Sequence, residues 1–461
     1  MRLNFLHQNT EQRRDLILNG SISKTIFLLS MPTLMMGLVQ SMMPIMDGLF
    51  INNIAGTLAA SSISFSVPII NMASAIAQGL SVTGMAMIGQ ANGRGEFKEA
   101  KHISTQIVVF SFILGCLMAP FLVLIAYPVS SHVDSRIAHD IFVYLSLYSL
   151  VIPFSFLESI YNSIKNASGK PEATFIRMVL MLILKTIFNT IFIAILRWGV
   201  VGAVMASLLS NALICIWMFY ELFVMQSDDK LILKGFRFDF TTLRELVRMG
   251  IPSILSSVML NLGFILINNE VQKYGPVVLN AQGISSNITS ICFALPGSFG
   301  SAVTTMVSMN IGAGNGKNAR KACIVGCIIS AITAVITVAI IVPLSPYLTL
   351  LFTRDAEVVE IANKALHIYT YSVLGFGVCM VVQGAFIGLG RMKVPLVLGL
   401  LRVWLLRYVF ILATEHSLSF YSVFWGNLFS NYMAALIITI MVLRIKWVSA
   451  IPGKHAIVEA K

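Results

Sequence analysis

Long apolar runs separated by short polar stretches dominate the sequence. Each run is about as long as the roughly 20 residues that an α-helix needs to cross the hydrocarbon core of a membrane. Charged and turn residues between the runs set their limits. The pattern predicts an all-α integral membrane protein with twelve transmembrane spans, at residues 25–51, 57–87, 103–126, 139–163, 173–196, 200–225, 246–270, 279–308, 322–351, 361–389, 394–413 and 419–443.

The composition excludes an ordinary soluble enzyme. Hydrophobic residues make up 57% of the 461 residues and charged residues only 11%, whereas a soluble domain carries about 25% charged residues. A membrane-embedded hydrolase or transferase would need a catalytic motif, and neither His-Glu-x-x-His nor Gly-x-Ser-x-Gly occurs. We therefore expect no enzymatic activity.

The basic excess follows the predicted topology. The formal net charge is +12, and 24 of the 32 Lys and Arg residues fall in the tails and loops on one side of the predicted spans, against five on the other side. Cytoplasmic loops of membrane proteins carry such an excess. We expect a multi-pass protein of the cell membrane, the inner membrane in a cell with two, with both termini cytoplasmic and no nucleic-acid partner.

No cofactor site is predicted. The six cysteines all lie in apolar runs and form no Cys-x-x-Cys pair, and the seven histidines lie in tails, loops or near span ends, so we expect no metal. The loop that ends in Gly316-Lys317 has Ile311 where a phosphate loop has its first glycine, and Asn318 where it has Ser or Thr. Without a nucleotide site, an ion gradient is the expected energy source.

The chain consists of two similar halves. The most hydrophilic connection lies near its middle, and Gly93 and Gly95 match Gly312 and Gly314 at a constant shift of 219 residues. Six spans per half give both halves the same orientation, as in parallel repeats related by an axis along the membrane normal. We predict two six-helix lobes related by a pseudo-twofold axis around a central cavity, with an N-lobe at 1–225, a linker at 226–245 and a C-lobe at 246–461.

These paired loops resemble those of a known family. The stretches GQANGRGEFKEA (89–100) and NIGAGNGKNARKA (310–322) are similar to the loops after the second and eighth helices of multidrug and toxic compound extrusion (MATE) transporters. Pro32, followed by LVQ and then by Asp47, resembles the proton-binding first helix of the DinF-like branch rather than the NorM-like branch. The resemblance implies a monomeric secondary transporter that exports small amphipathic organic compounds, with alternating access between the lobes, in exchange for H+ or Na+.

The resemblance extends to the fifth and sixth spans and also shows two departures. Asn189 corresponds to an asparagine of the family, and Ser207 stands where the family usually has Thr. However, the family often has an Asp at the position of Ile193, and the NorM-like branch has a Glu at the position of Leu260. The implied ion site therefore lacks these carboxylates.

Asp47 is the leading candidate for ion coupling. Ionisable groups inside spans are costly and mark functional sites by default. Gln40 lies seven residues earlier on the same face, and Pro44 removes a backbone hydrogen bond next to the acid. Lys185 and Asn189 are one helical turn apart. We assign ion coupling to Asp47, Asn189, Lys185, Gln40 and Ser207, and a hinge to Pro32 and Pro44.

Two questions stay open in the sequence. Lys185 could pair with Asp47 or with Glu158, or extend its ammonium group to the interface. Arg402 and Arg407 are five residues apart, hence on different faces of an α-helix, so no joint anion clamp is expected.

The intramembrane cations leave a lipid-linked oligosaccharide flippase of the same superfamily as the alternative function. The residues assigned to the substrate cavity are polar or thioether side chains, namely Glu158, Asn261, Asn268, Met36 and Met43.

Overall fold

The computed structural model describes residues 8–51, 54, 57–131, 135–225, 230–233, 235–350 and 355–449. All regular structure in these residues is helical. The helices are α1 Thr10–Asn19, α2 Ile22–Phe50, α3 Thr57–Arg94, α4 Phe97–Ser131, α5 Ser135–Tyr148, α6 Ile152–Ala167, α7 Pro171–Asn189, α8 Gly199–Phe219, α9 Phe240–Gln272, α10 Pro276–Gly312, α11 Gly316–Leu350, α12 Ala356–Gly388, α13 Lys393–Leu400, α14 Val409–Leu418 and α15 Tyr421–Arg444.

The predicted all-α membrane fold is confirmed. Within the described residues, eleven helices are long and apolar enough to cross a membrane. A twelfth span is present if α5 and α6, which bend by 51° relative to each other, count as one. Many large apolar side chains remain exposed, such as Leu124 at 72% and Ile216 at 66%. Such exposure suits a protein whose outer surface meets lipid rather than water.

Longer π-helical segments interrupt the α-helices in the described residues. They comprise Thr190–Ile195 after α7, Tyr220–Val224 after α8, and Leu401–Tyr408 between α13 and α14. π segments are rare and often occur at functional sites. No feature of the hydrophobic pattern predicted them.

The loop backbones repeat in the two halves. Gly95 and Gly314 both adopt the left-handed region, with φ of +80° and +75°. Glu96 N donates to Ala91 O at 3.1 Å, and Asn315 N donates to Asn310 O at 2.8 Å. A left-handed residue after a helix is a common C-terminal cap that suits glycine. The matching glycines therefore end α3 and α10 in the same way, as the sequence repeat predicts.

The described chain divides into two compact units. One contains residues 39–257 together with the N-terminal residues up to Arg14, and the other contains residues 15–38 and 258–461. Helices α2 and α9 each contribute one part to each unit. The assignment of six spans to each predicted lobe remains a prediction, and below we call the first of these units the N-unit and the second the C-unit.

An additional short helix, α1, precedes the first span. Arg13 on this helix is fully buried and pairs with Glu172 on α7 at 2.5 Å. Burial lowers the pKa of Arg13 to about 10, an effect that the neighbouring Glu172 opposes. The sequence predicted only a basic N-terminal stretch before the first span, because α1 has few apolar residues.

Candidate functional site

Asp47 lies in an ion pair inside the N-unit. Its Oδ2 accepts a hydrogen bond from Lys185 Nζ at 2.5 Å, and its Oδ1 accepts one from Asn189 Nδ2 at 2.9 Å. The side chains of Lys185 and Asp47 are 19% and 28% exposed. Of the partners that the sequence left open for Lys185, the structure selects Asp47.

The helix that carries both partners changes its geometry directly after them. Lys185 and Asn189 lie one turn apart on α7, so both side chains reach the same carboxylate. The π segment begins at Thr190. It includes Ile193, which is fully buried in the apolar core of the N-unit, at the position where the family often has a carboxylate. The aspartate is thus bound at the last turn of regular α-helix.

A second ion pair lies nearby in the same unit. Arg177 Nη1 donates to Glu158 Oε2 at 2.7 Å, and Arg177 Nε donates to Asn162 Oδ1 at 3.1 Å. The side chain of Arg177 is only 2% exposed. The other oxygen of Glu158, Oε1, is buried without a hydrogen-bond partner in the described structure. Glu158 therefore keeps a free acceptor, although its charge is balanced.

Two tyrosines are electrostatic neighbours of these charged groups, and sequence reasoning missed both. Tyr144 and Tyr148 lie one turn apart on α5, with ring centroids separated by 5.6 Å. Tyr148 is an electrostatic neighbour of Lys185, Glu158 and Asp47. Their i,i+4 spacing in an otherwise apolar span was the available signal.

Formal charges cancel within this cluster. Asp47 and Glu158 are balanced by Lys185 and Arg177, and each acid contacts its own base. Opposite charges that are paired and hydrogen-bonded are the arrangement in which buried ions are tolerated. One added proton would leave an uncompensated positive charge.

Some predicted members of the ion-coupling set do not contact Asp47. Gln40 is exposed. Among the described residues, the hydrogen bonds to the Asp47 carboxylate come from Lys185 and Asn189, not from Gln40. Ser207 is buried on α8, where its carbonyl oxygen accepts hydrogen bonds from Ser210 and Asn211. Neither residue is placed at the ion pair by this structure.

The predicted cavity and hinge residues are distributed over both units. Met36, Met43 and Asn261 are half-buried. Helix α2 continues through the positions of both Pro32 and Pro44. The side chains of Pro44 and Asn268 lie outside the described residues, so the roles predicted for them stay predictions.

The helical segment that carries the two arginines of the C-unit differs from the α-helix that we expected. Five residues correspond to about 140° of rotation in an α-helix, which led us to expect Arg402 and Arg407 on different faces. Both lie in the π segment Leu401–Tyr408, where hydrogen bonds join residues five apart and place them near each other along the axis. Each is only 8% exposed. The α-helical rotation behind the prediction of different faces therefore does not apply to this segment.

Comparison with known proteins identifies the family. The MatE family model matches residues 32–191 and again residues 252–412. The chain belongs to the multidrug and toxic compound extrusion (MATE) family. MATE proteins are multi-pass membrane transporters rather than enzymes, and they need no cofactor. The two matches fall in the two halves that the internal repeat defines.

Individual relatives agree with this assignment. The chain is 26% identical over 398 residues to the "Probable multidrug resistance protein YpnP" of Bacillus subtilis (strain 168), which covers 85% of this chain and 88% of that protein. It is 22% identical over 426 residues to the multidrug export protein MepA of Staphylococcus aureus (strain bovine RF122 / ET3-1), with 90% and 92% covered.

A solved structure shows the same fold. A crystal structure of a MATE protein in complex with MaL6 superimposes with a TM-score of 0.88 at 21% sequence identity, covering 92% of this chain and 96% of the other. This likeness establishes the two-lobe MATE fold and leaves the substrate and coupling ion to be argued from the residues of this chain.

Proposed function

We propose that this protein exports amphipathic organic compounds by antiport with H+, and that Asp47 carries the proton. The observation that supports this most is the Asp47 carboxylate on α2, within the predicted span 25–51, with Lys185 Nζ on one oxygen and Asn189 Nδ2 on the other. The two relatives described above are a probable multidrug resistance protein and a multidrug export protein. Export of drugs, toxins or metabolites is the corresponding activity here.

A proton would compete with Lys185 for the carboxylate. Protonation removes the negative charge of Asp47 and with it the electrostatic attraction across the 2.5 Å contact to Lys185. An ammonium group without a partner at membrane depth costs about 2.5 to 3.5 kcal/mol on insertion scales. Protonation of Asp47 therefore favours movement of the Lys185 ammonium group toward another acceptor.

Glu158 offers the destination for that movement. Its Oε1 has no hydrogen-bond partner in the described structure, and it is an electrostatic neighbour of Lys185. We infer that Lys185 turns toward Glu158 when Asp47 is protonated and returns when the proton leaves. The second part of α2, which bears Asp47, is released from α7 in one state and held to it in the other.

The contacts of Asp47 favour H+ over Na+ as the coupling ion. Both carboxylate oxygens are occupied by N–H donors, whereas a hard cation requires several oxygen ligands. The carboxylates that the family often supplies at the positions of Ile193 and Leu260 are absent. A proton needs only one lone pair, so it fits this site, and the lack of the helix-seven acid supports the DinF-like branch.

The gradient suffices for concentrative export. An inward-moving charge contributes about 2.3 kcal/mol per 100 mV, and a pH difference of one unit contributes about 1.4 kcal/mol. Each tenfold substrate gradient requires about 1.4 kcal/mol. One proton per cycle therefore supports a gradient of a hundredfold or more.

We retain the cell-membrane location with cytoplasmic termini, since 24 of the 32 basic residues lie on that predicted side. A monomer suffices for this mechanism, because every residue of the proposed proton site belongs to one chain. Lipid and the organic substrate complete the set of partners.

The flippase alternative draws on three intramembrane cations. Lys185 is engaged by Asp47, which leaves only Arg402 and Arg407 for a diphosphate. A glycolipid flippase would restore growth of a flippase-deficient strain, whereas an exporter of amphipathic compounds would not.

Transport in proteoliposomes tests the proposal. Ethidium uptake into inside-out oriented vesicles should follow an imposed pH gradient, acidic inside, and should be the same with Na+ or choline as the only other cation. Protein-free vesicles provide the control for passive distribution. Ethidium accumulation that requires a Na+ gradient and ignores the pH gradient would contradict H+ coupling.

A further inference from the structure

Arg402 and Arg407 are two buried cations on one π segment of the C-unit. In the π segment Leu401–Tyr408, residues five apart lie closer to one side of the helix than they would in an α-helix, and Arg402 is an electrostatic neighbour of Arg407. Each is 8% exposed. They are the two cations in the middle of the span Lys393–Leu418.

Neither arginine has an acidic partner. No carboxylate of the described residues lies within salt-bridge distance of Arg402 or Arg407, whereas cations inside the N-unit contact a carboxylate. Those N-unit pairs are Lys165 with Glu221, Arg177 with Glu158, and Lys185 with Asp47. The C-unit therefore contains two buried positive charges that its own described side chains leave uncompensated.

The internal repeat shows where an acid is missing. At the shift of 220 residues that relates Pro32 to Pro252, Asp47 corresponds to Ile267. Lys185 corresponds to the residue before Arg407 at the shift of 221 that relates Gly169 to Gly390. At the matching positions of the C-unit, Leu406 and Ile267, both members of the Lys185–Asp47 pair are therefore apolar, and Arg407 lies one position after the counterpart of Lys185.

Arg402 is oriented by a chain of buried amides. Its Nη1 donates to Asn431 Oδ1 at 3.4 Å, Asn431 Nδ2 donates to Asn427 Oδ1 at 3.3 Å, and Asn427 Nδ2 donates to Ser372 Oγ at 3.0 Å. The guanidinium also lies over the ring of Phe376, with 5.3 Å to the centroid. These contacts fix the group but supply no negative charge.

Arg407 keeps an unused donor. Its Nε is buried without a hydrogen-bond partner, and its guanidinium lies 6.0 Å from the centroid of Phe264. Phe264 is 46% exposed, so this guanidinium lies close behind the surface of the C-unit. Asn261, three residues earlier on α9, was predicted to line the substrate cavity and shares that face.

We propose that Arg402 and Arg407 bind the anionic group, a carboxylate or phosphate, of the exported compound, and that Phe264 and Phe376 contact its aromatic or apolar part. Guanidinium groups bind both anions through paired N–H donors. The proposal rests on the exporter function above and adds the substrate class: anionic or zwitterionic amphiphiles rather than cations alone.

Direct binding tests this site independently of transport. Tritium-labelled 1-naphthaleneacetate, an aromatic carboxylate, is the probe, and the full-length protein is immobilised in phosphatidylcholine nanodiscs for a scintillation proximity assay. The neutral 1-naphthaleneacetamide has nearly the same shape and serves as competitor. We expect saturable binding of the acid and at least tenfold weaker competition by the amide.

Matched variants assign that preference to the arginines. Arg402→Gln and Arg407→Gln should each raise the Kd for the acid at least tenfold, while Arg407→Lys, which keeps the charge, should give an intermediate Kd. Arg248→Gln, at an exposed arginine of α9, should bind as the native protein does. The unfolding temperature of each variant in the nanodisc establishes that it is folded. If a Gln variant does not fold, Arg407→Lys still tests the site.

Several results would overturn the proposal. They are absence of saturable binding of the acid, equal affinity for acid and amide, or unchanged binding by folded Arg402→Gln and Arg407→Gln. Displacement of the probe by phosphatidylglycerol in the nanodisc would assign the pair to a lipid headgroup instead of an exported compound. Binding that persists in Asp47→Asn while export fails would support this site and locate the failure in proton coupling.

Discussion

Replacing Asp47 by Asn is expected to abolish uphill export while leaving substrate binding and the fold intact. The amide has the size of the protonated acid and carries no charge, so it fixes the site in one of the two states between which transport alternates. Lys185 loses its ionic contact at Asp47 Oδ2, but Glu158 remains within its electrostatic reach. The measurement is ethidium accumulation in proteoliposomes under an acid-inside pH gradient, alongside ethidium binding to the purified variant.

The control for this variant is Asp15→Asn. Asp15 is exposed on α1, where it accepts a hydrogen bond from Asn19, and its loss should leave accumulation unchanged. Uphill, pH-dependent accumulation by Asp47→Asn at a rate near that of the native protein would remove Asp47 from the coupling mechanism. Loss of ethidium binding as well would assign Asp47 to the substrate instead.

Replacing Arg177 by Gln is expected to produce the largest loss of stability. Removing one partner of a buried ion pair leaves the other charge without compensation, an effect of about 3 to 5 kcal/mol. Arg177 is 2% exposed, and its partner Glu158 is 15% exposed. The free energy of unfolding in detergent, or a marked fall in the unfolding temperature, measures the effect.

A double variant separates lost pairing from lost packing. Glu158→Gln combined with Arg177→Gln removes both charges, so it should recover most of the stability lost in Arg177→Gln. The matched surface pair Glu360–Lys364 has an N–O distance of 2.8 Å with both side chains more than half exposed. Lys364→Gln should therefore leave the stability nearly unchanged. A double variant as unstable as Arg177→Gln would show that the shape of Arg177, rather than its charge, matters.

The fold was largely readable from the sequence. Membrane spans are specified by composition over about 20 residues, and the loop glycines at positions 95 and 314 needed a left-handed conformation that a sequence repeat makes visible. Helix α1 was missed, because it is mostly polar and its position is fixed by the tertiary pair of Arg13 with Glu172. Contacts of this kind depend on residues distant in sequence.

The candidate proton site was predicted in part. Spacing alone placed Lys185 and Asn189 on one face, and the structure brings both to Asp47. The partner of Glu158 was missed, because Arg177 stands only a few residues inside the predicted span 173–196, where a cation is expected to belong to the cytoplasmic boundary. The structure buries it instead.

The remaining difference between the sequence-based expectation and the structure concerns the type of helix around Arg402 and Arg407. The argument that placed Arg402 and Arg407 on different faces used α-helical rotation, which does not hold in Leu401–Tyr408. Hydrophobic periodicity cannot reveal a change of helix type within a span that is apolar on most sides. The sequence therefore identified the two arginines as charges within a span, but it could not predict the backbone geometry that orients them.

Substrate-induced proton release is the most direct test of the central claim, that a proton and the export cycle share Asp47. Purified protein in weakly buffered detergent solution near neutral pH, with a pH-indicator dye, is mixed with ethidium. The native protein and Asp15→Asn should release protons when they bind ethidium, and Asp47→Asn should bind ethidium without releasing any. Equal proton release from Asp47→Asn and the native protein would contradict the account.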